Sequence, residues 1–358
     1  MELFFNVFLC YNIFGDKMKI IHISDLHLKK LYRGSLPVEI TNILMEDTWK
    51  AIREVAKYSN EIKAEIFMIS GDLFEREFFN LKDLKRLLDI IKSISARVFV
   101  VFGNHDYISN DNVFNKIELP DNLYIFSSNF SFYQIDELNT RVYGVSYNNY
   151  NFKKDFIIPG LDKNFNNIGI FHTDLNDERY MKMDLNDFKE FDYVALGHIH
   201  KRNKISENTF YAGSIIPLSF KDEGSRGAVV YDTSNKSYQY LDFNEREFIK
   251  LSVDINEGMS FAEILNSIQL KLDSKNIYRI ILNGNHSHFF EIEKFLYNNL
   301  EALNFEIENN LKPSLSIAEI INREEYLKEF FNSFGDSKRE MESRKLIENY
   351  ILEQVYDI

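Results

Sequence analysis

The chain has 358 residues, more than a single core of ~150 residues usually accommodates, and its 45% hydrophobic and 27% charged content excludes a disordered or fibrous protein. Lys and Arg number 42 against 55 Asp and Glu, a net charge of −13, which excludes a coat protein that binds nucleic acid through side-chain charge alone. It leaves open a nucleic-acid enzyme that brings its positive charge in as metal. One cysteine, Cys10, excludes an intramolecular disulfide framework and a cysteine-based zinc site, and points to a reducing, cytoplasmic compartment.

Taken from the start, residues 3–14 are apolar but make up about half of the ~20 residues a bilayer crossing needs. They contain Asn6 and Asn12 and follow Glu2 where a signal peptide carries basic residues, so neither a signal peptide nor a membrane association is expected. Met18-Lys19-Ile20-Ile21 reads as a second start. Residues 1–17 are therefore expected to lie outside the fold, with translation beginning at Met1 or Met18. From there short apolar runs alternate with helix-period segments, the pattern of an α/β protein. The runs are 19–23, 64–70, 97–102, 168–171 and 193–196; residues 47–58 and 81–94 read as helices, with Leu84, Leu87, Leu88 and Ile91 at helical spacing. From about residue 210 the pattern turns β-rich, with runs at 209–212, 228–232 and 238–243. A boundary near 245 precedes a further unit of strand 248–253, helix 261–272 and strand 277–283. The tail from 322 reads as two helices. Asn322 with Glu325 forms a capping pair, and Phe334-Gly335 a stop. Leu327, Phe330, Phe331 and Phe334 form one apolar stripe, and Ile347, Ile351 and Val355 another; either could dock on the chain's own domain or on a partner.

Five motifs stand at the C-terminal ends of the five early runs: Asp25-Leu26-His27, Gly71-Asp72, Gly103-Asn104-His105-Asp106, His172, and Gly197-His198-Ile199-His200. Ligands of α/β sheets gather beyond the carboxyl ends of strands, so these residues can converge. Carboxylates, an amide oxygen and imidazoles without thiolates suit Mn²⁺, Fe or Zn. Residues i and i+2 of an extended segment face one side, which would bring Asp25 beside His27 and His198 beside His200. A carboxylate such as Asp72 can bridge two metals ~3.5–4 Å apart. His22 reads as a core residue or a support behind the site. Gly284-Asn285-His286 repeats part of a motif but lacks the following Asp, and with His288 reads as a turn or surface feature.

This ordered set resembles the calcineurin-like metallophosphoesterase superfamily. Three stretches resemble the SbcD-type DNA-repair nucleases more closely: His22-Ile23-Ser24-Asp25-Leu26-His27-Leu28; Gly71-Asp72-Leu73-Phe74; and Gly197-His198-Ile199-His200-Lys201, followed by Tyr211-Ala212-Gly213-Ser214 and Pro217-Leu218-Ser219-Phe220. The resemblance implies a four-layer αββα sandwich over 18–245, a small α/β cap over 246–315 that positions DNA, and a helical tail over 322–358. It implies one metal held by Asp25, His27, Asp72 and His200, and a second by Asp72, Asn104, His172 and His198, most simply two Mn²⁺. A water activated between them would attack phosphorus, and His105 would protonate the leaving oxygen with Asp106 orienting its ring. The implied activity is a DNA exonuclease, with endonuclease action also open, docked through its tail to an SbcC-type coiled-coil ATPase, and the family admits a homodimer. Two departures stand out. Asp72-Leu73-Phe74-Glu75-Arg76 partly matches the phosphoprotein phosphatases, where an Arg grips the phosphoryl group, but Glu75, Glu77 and Asp106 differ from that pattern. Some nuclease relatives carry a His where Glu75 stands. The alternatives are an esterase for small phosphodiesters or phosphoproteins, and a scaffold in which metals only staple the fold.

Overall fold

The computed structural model describes residues 18–32, 36–109, 113–152, 158, 160–177, 179–313, 321, 325–335 and 337–355; residues 1–17 and Asn322 lie outside them. The chain divides into two compact units after Glu245. The first begins β1 (Lys19–Ile23), α1 (Val38–Glu61), β2 (Ile66–Ser70), α2 (Leu81–Lys92), β3 (Arg97–Val101) and β4 (Leu123–Ile125). It continues β5 (Ser131–Ile135), β6 (Thr140–Gly144), β7 (Asn166–His172), β8 (Tyr193–Gly197), β9 (Asn203–Lys204), β10 (Thr209–Tyr211), β11 (Gly227–Asp232) and β12 (Ser237–Asp242).

These strands form two six-stranded sheets, in the orders β12-β11-β1-β2-β3-β4 and β5-β6-β7-β8-β10-β9. Strands β1 to β4 run parallel, as do β6, β7, β8 and β10, so both sheets end their central strands at one carboxyl edge. Period-two alternation sorts the side chains into layers. Ile21 and Ile23 face the helices, where Trp49, Ile52, Val55, Leu84, Leu87 and Ile91 cover the first sheet. Ile20, Ile66, Met68, Phe99 and Val101 face Val142, Ile168, Ile170, Tyr193 and Phe210 between the sheets. The outer face of the second sheet, with Tyr143, Phe171, Val194 and Leu196, packs on Met181, Met183, Phe188 and Phe191. That fourth layer, among the described residues, is loop and a 3₁₀ turn at Leu185–Phe188 in place of an α-helix.

α1 begins nine residues before the segment read from periodicity. Pro37, at φ −56°, precedes it and fixes the entry, while Ile40, Thr41 and Leu44 bury the first turns. α2 starts at a reciprocal cap: Asn80 Oδ1 accepts from the Lys82 and Asp83 amides, and Asp83 Oδ2 accepts from the Asn80 amide.

The second unit holds β13 (Phe248–Ile255), α3 (Phe261–Gln269), β14 (Ile277–Gly284), α4 (Phe289–Asn299) and β15 (Asn304–Asn309). The three strands pair in parallel around a core of Val253, Ile264, Ile280, Leu282, Ile292 and Leu296. Two tail helices follow, α5 (Glu325–Asn332) and α6 (Lys338–Val355). Phe331 is buried, whereas Met341, Leu346 and Tyr350 on α6 are 60–70% exposed. His286 is buried rather than superficial, its Nε2 3.0 Å from the Met259 carbonyl, which fastens the turn after β14.

Candidate active site

The motif residues gather at the shared carboxyl edge, and the route by which they do so differs from the extended geometry expected of them. β1 ends at Ile23, and Asp25 and His27 both take left-handed backbone, with φ of 49° and 43°. Asp72 (φ 50°) and His198 (φ 96°) do the same. Such conformations cost a non-glycine residue ~1 kcal/mol or more, and persist where the surroundings hold them. Here the amides of Asp25, His27 and Leu28 donate to the carbonyls of Gly71, Asp72 and Leu73 at 3.1, 2.9 and 3.0 Å, zipping the first loop to the second. A sharp turn, not alternation, aims Asp25 and His27 together.

Two clusters of donors result. In the first, His27 Nε2 stands 3.3 Å from His200 Nε2 and 3.7 Å from Asp72 Oδ2, and His200 Nε2 4.0 Å from Asp25 Oδ1. In the second, His172 Nε2 lies 3.1 Å from Asn104 Oδ1, 3.3 Å from His198 Nδ1 and 3.5 Å from Asp72 Oδ1. His198 Nδ1 is 3.2 Å from the same Asn104 oxygen. Asp72 thus gives one oxygen to each cluster.

The proton inventory tests whether cations fit. His27 Nδ1–H donates to Glu75 at 2.8 Å, and His172 Nδ1–H to the Ser70 carbonyl at 2.9 Å, so each Nε2 can offer a lone pair to a cation that displaces its proton. Around them stand the other donor atoms of each cluster, from imidazole, amide oxygen and carboxylate. Donors ~2.1 Å from one ion at tetrahedral or octahedral angles stand about 3.0–3.4 Å apart, close to the spacings within each cluster. Buried carboxylates supply the charge. Asp25 and Asp72 are almost fully buried, and although burial opposes its ionisation, His172, His27 and His105 hold the Asp72 carboxyl well below its usual range. Burial likewise opposes a charge on His172, yet Asp72 and Asp25 pull it up to about 9; burial and the His172 charge push His198 down to about 4. The residues present fit two divalent cations.

His105 and Asp106 separate in role. The His105 amide donates to Asp72 Oδ1 at 2.9 Å, and its Nδ1 lies 2.9 Å from Glu75 Oε2. The family resemblance implies that Asp106 orients that ring; instead its two oxygens accept from the Leu73 and Gly103 amides, both at 2.6 Å, and Glu75 takes the ring. Asp106 pins the second and third loops together. Burial and the neighbouring Asp72 charge raise its carboxyl to about 7. Burial works against the His105 cation, but the Glu75 hydrogen bond and the Asp72 and Glu75 charges raise its pKa overall. Burial would lift the Glu75 carboxyl too, but its bonds to His105 and His27 bring it to about 2.

His172 carries no tight motif, and the structure supplies the missing reason for its placement. It ends β7, and three motif glycines surround its ring: a Cβ on Gly71, Gly103 or Gly197 would come within 2.9 Å of imidazole atoms. The sequence reading missed Asp222, whose Oδ1 faces His200 Nδ1 at 3.7 Å from 22 positions away with no spacing to mark it. Arg76 lies over the Tyr107 ring, 4.4 Å from its centroid, and donates to the Tyr107 carbonyl. Tyr180 and Tyr150 flank the site, with ring centroids 4.2 Å from that of His198 and 5.9 Å from that of His105. His22 sits between the sheets, bonded to Tyr193 and Ser70.

Residues 18–202, just over half of the chain and every motif residue in it, match the family model for the calcineurin-like phosphoesterases. The chain belongs to that family. As a calcineurin-like phosphoesterase it is a hydrolase of the metallophosphoesterase type, acting on phosphodiester bonds, and the family works through a dinuclear divalent metal site. This phosphoesterase is 26% identical over 296 residues to the uncharacterized metallophosphoesterase YhaO of Bacillus subtilis (strain 168), covering 75% of this chain and 72% of that one. It is 25% identical over 328 residues to the SbcD component of the SbcCD nuclease of Staphylococcus epidermidis, covering 80% of this chain and 85% of that one. A solved structure from Thermus thermophilus aligns with 63% of this chain and 99% of its own at 12% identity, with a TM-score of 0.39. Among the described residues no helix is long and apolar enough to cross a membrane.

Proposed function

We propose that this phosphoesterase is a Mn²⁺-dependent DNA exonuclease that works in DNA repair, with endonuclease action at the same site open. The observation that carries the reading is the likeness to the SbcD component of the SbcCD nuclease across 85% of that protein's length, well beyond the span of the metallophosphoesterase motifs. Asp25, His27, Asp72 and His200 would hold one ion, and Asp72, Asn104, His172 and His198 the other. Bound there, the ions supply an activated water and neutralise charge on the phosphoryl group. The chain's own residues do the rest. Asp72 spans both clusters and receives the His105 amide, so it positions the acid as well as the donors. The proton for the leaving oxygen would come from His105, whose Nδ1 is engaged by Glu75 and whose pKa the Glu75 and Asp72 charges raise.

Residues 246–315 would position DNA, and the tail would dock an SbcC-type coiled-coil ATPase; the exposed Leu346 and Tyr350, four residues apart on one face of α6, are apolar surface that such a helix partner can cover. A net charge of −13 fits a nuclease that borrows its affinity for DNA from metals and a partner. A single cysteine suits a cytoplasmic setting. A second reading, an esterase of small phosphodiesters, draws on Glu75, which stands where some nuclease relatives carry a His. One comparison separates the two: Mn²⁺-dependent release of nucleotides from duplex DNA against hydrolysis of a nitrophenyl phosphodiester. Cleavage of both supports the nuclease. Cleavage of the small ester alone, with intact DNA recovered, supports the second reading.

A further inference from the structure

β12 is the last strand of the first sheet and β9 the last strand of the second, and their side chains meet. Lys204 of β9 holds Nζ 5.2 Å from the centroid of the Tyr238 ring on β12. Arg202, just ahead of β9, holds its guanidinium carbon 5.3 Å from that of Tyr240. Period two puts Tyr238, Tyr240 and Asp242 on one face of β12, so the two contacts form successive rungs of cation over ring. The two rings stand edge to face, 5.6 Å apart, and Tyr238 is 41% exposed. The strip leads to the carboxyl edge of the sheets: Arg202 follows His200 by two residues, and Asp242 pairs in register with Gly227 at the start of β11, antiparallel to β1. It is richer in donors than in acceptors. Arg202 Nη1, Tyr240 Oη and the Nε of Arg226, itself 3% exposed, are buried without a hydrogen-bond partner among the described residues. The carboxylates beside the two rungs stand at the surface. Asp242, 54% exposed, takes Arg202 Nη2 at 2.5 Å, and Glu207, 98% exposed, takes Lys204 Nζ at 3.0 Å. Ion pairs so exposed contribute little, and both cations can leave them for a phosphate.

We propose that the strip between β12 and β9 is a track for a single strand of nucleic acid, with Tyr238 stacking an unpaired base and Arg202 and Lys204 holding the phosphates on either side of it. The cation that now covers the Tyr238 ring swings to the backbone, and the base takes its place on the ring face. The unpartnered Nη1 of Arg202 and Oη of Tyr240 are donors that a phosphate oxygen can accept from once Arg202 leaves Asp242. Stacking selects single strands, because a duplex keeps its base faces inside. An acidic protein segment would use the cations but gain nothing from the rings. The placement also answers the charge of the chain: Lys201-Arg202-Asn203-Lys204 sets three cations within four residues of a protein with a net charge of −13. The inference deepens the nuclease reading and rests on it, the track ending beside His200 of the first cluster.

The test measures binding without cleavage, by fluorescence anisotropy of a labelled oligothymidylate with the full chain in chelator at low ionic strength. The wild-type chain is expected to bind this single strand more tightly than a duplex of the same length. Tyr238→Ala should weaken binding by ~10-fold or more, and Tyr238→Phe, which keeps the ring, by less than ~2-fold. Lys204→Ala should make the plot of log affinity against log salt shallower by ~0.7, the share of one phosphate contact. Polyglutamate of matched charge should fail to displace the oligonucleotide. Circular dichroism checks each fold, and if Tyr238→Ala does not fold, Tyr238→Leu keeps the bulk and removes the aromatic face. No binding by the wild-type chain, duplex bound as tightly as single strand, displacement by polyglutamate, or folded ring-less variants that bind like wild type would each overturn the inference. Failure of the nuclease reading shows differently. Strand binding with this pattern but intact DNA after incubation with Mn²⁺ would keep the track and overturn the nuclease. Cleavage of DNA by a chain whose binding ignores Tyr238 and Lys204 would do the reverse.

Discussion

At the scale of single residues, His105 has its Nδ1 and its amide engaged by Glu75 and Asp72, while its ring is one-third exposed, so Nε2 is the nitrogen left to move a proton. Its removal should therefore spare the metals and cost the chemistry. His105→Ala is expected to keep two Mn²⁺ per chain and lose about 10²–10⁴-fold in cleavage of an alkyl ester, ~3–5 kcal/mol in barrier, with a smaller loss on a nitrophenyl ester. Equal losses on the two esters would remove the acid assignment. His22 gives a second prediction, on stability. Burial between the sheets lowers its pKa from 6.5 to about 3, so the unfolded chain binds the proton first as pH falls. Stability should fall from about pH 6.5 down to about pH 3, by up to ~1.4 kcal/mol per unit from this residue. Urea unfolding of the metal-free protein should show a shallower acid limb in His22→Gln; an unchanged limb would contradict it. The residue types were legible in the sequence because chemistry restricts them. The left-handed turns that aim Asp25, His27 and Asp72 were not. They depend on hydrogen bonds between loops distant in the chain, such as that from the Leu28 amide to the Leu73 carbonyl.

At the scale of elements, the five parallel strands that carry the motifs were readable as continuous apolar runs, because strands buried on both faces carry little else. Less was readable where packing decides. The first nine residues of α1 lack a clean apolar stripe, β4 is only three residues long and β5 is mostly exposed, so none of them announces itself by period. Asp222 reaches His200 only through the turn after Pro217, where its Oδ2 also accepts from the Leu218 amide at 3.0 Å. The tail helices were legible as helices, but α6 leaves Met341, Leu346 and Tyr350 largely in water. Deleting residues 338–358 is therefore expected to move the thermal midpoint by no more than ~3 °C and to leave cleavage of a nitrophenyl diester intact, while binding to a coiled-coil ATPase partner is lost. Collapse of the midpoint on deletion would instead assign α6 to the chain's own core.

At the scale of the whole molecule, two sheets of one unit bring histidines, carboxylates and an amide from five strand ends to one place, although those residues span positions 25 to 200. The glycines of three motifs close around the His172 ring, and two loops lock to each other through Asp106. The centre of that arrangement is Asp72, one oxygen toward His27 and the other toward His172. The most direct measurement is the divalent metal content of the purified chain and of Asp72→Ala, by equilibrium dialysis against Mn²⁺ with the fold checked in parallel. Two ions per wild-type chain and fewer than one in the folded Asp72→Ala variant are expected, because a shared bridge supports both seats. Full occupancy of both sites in that variant would contradict the account.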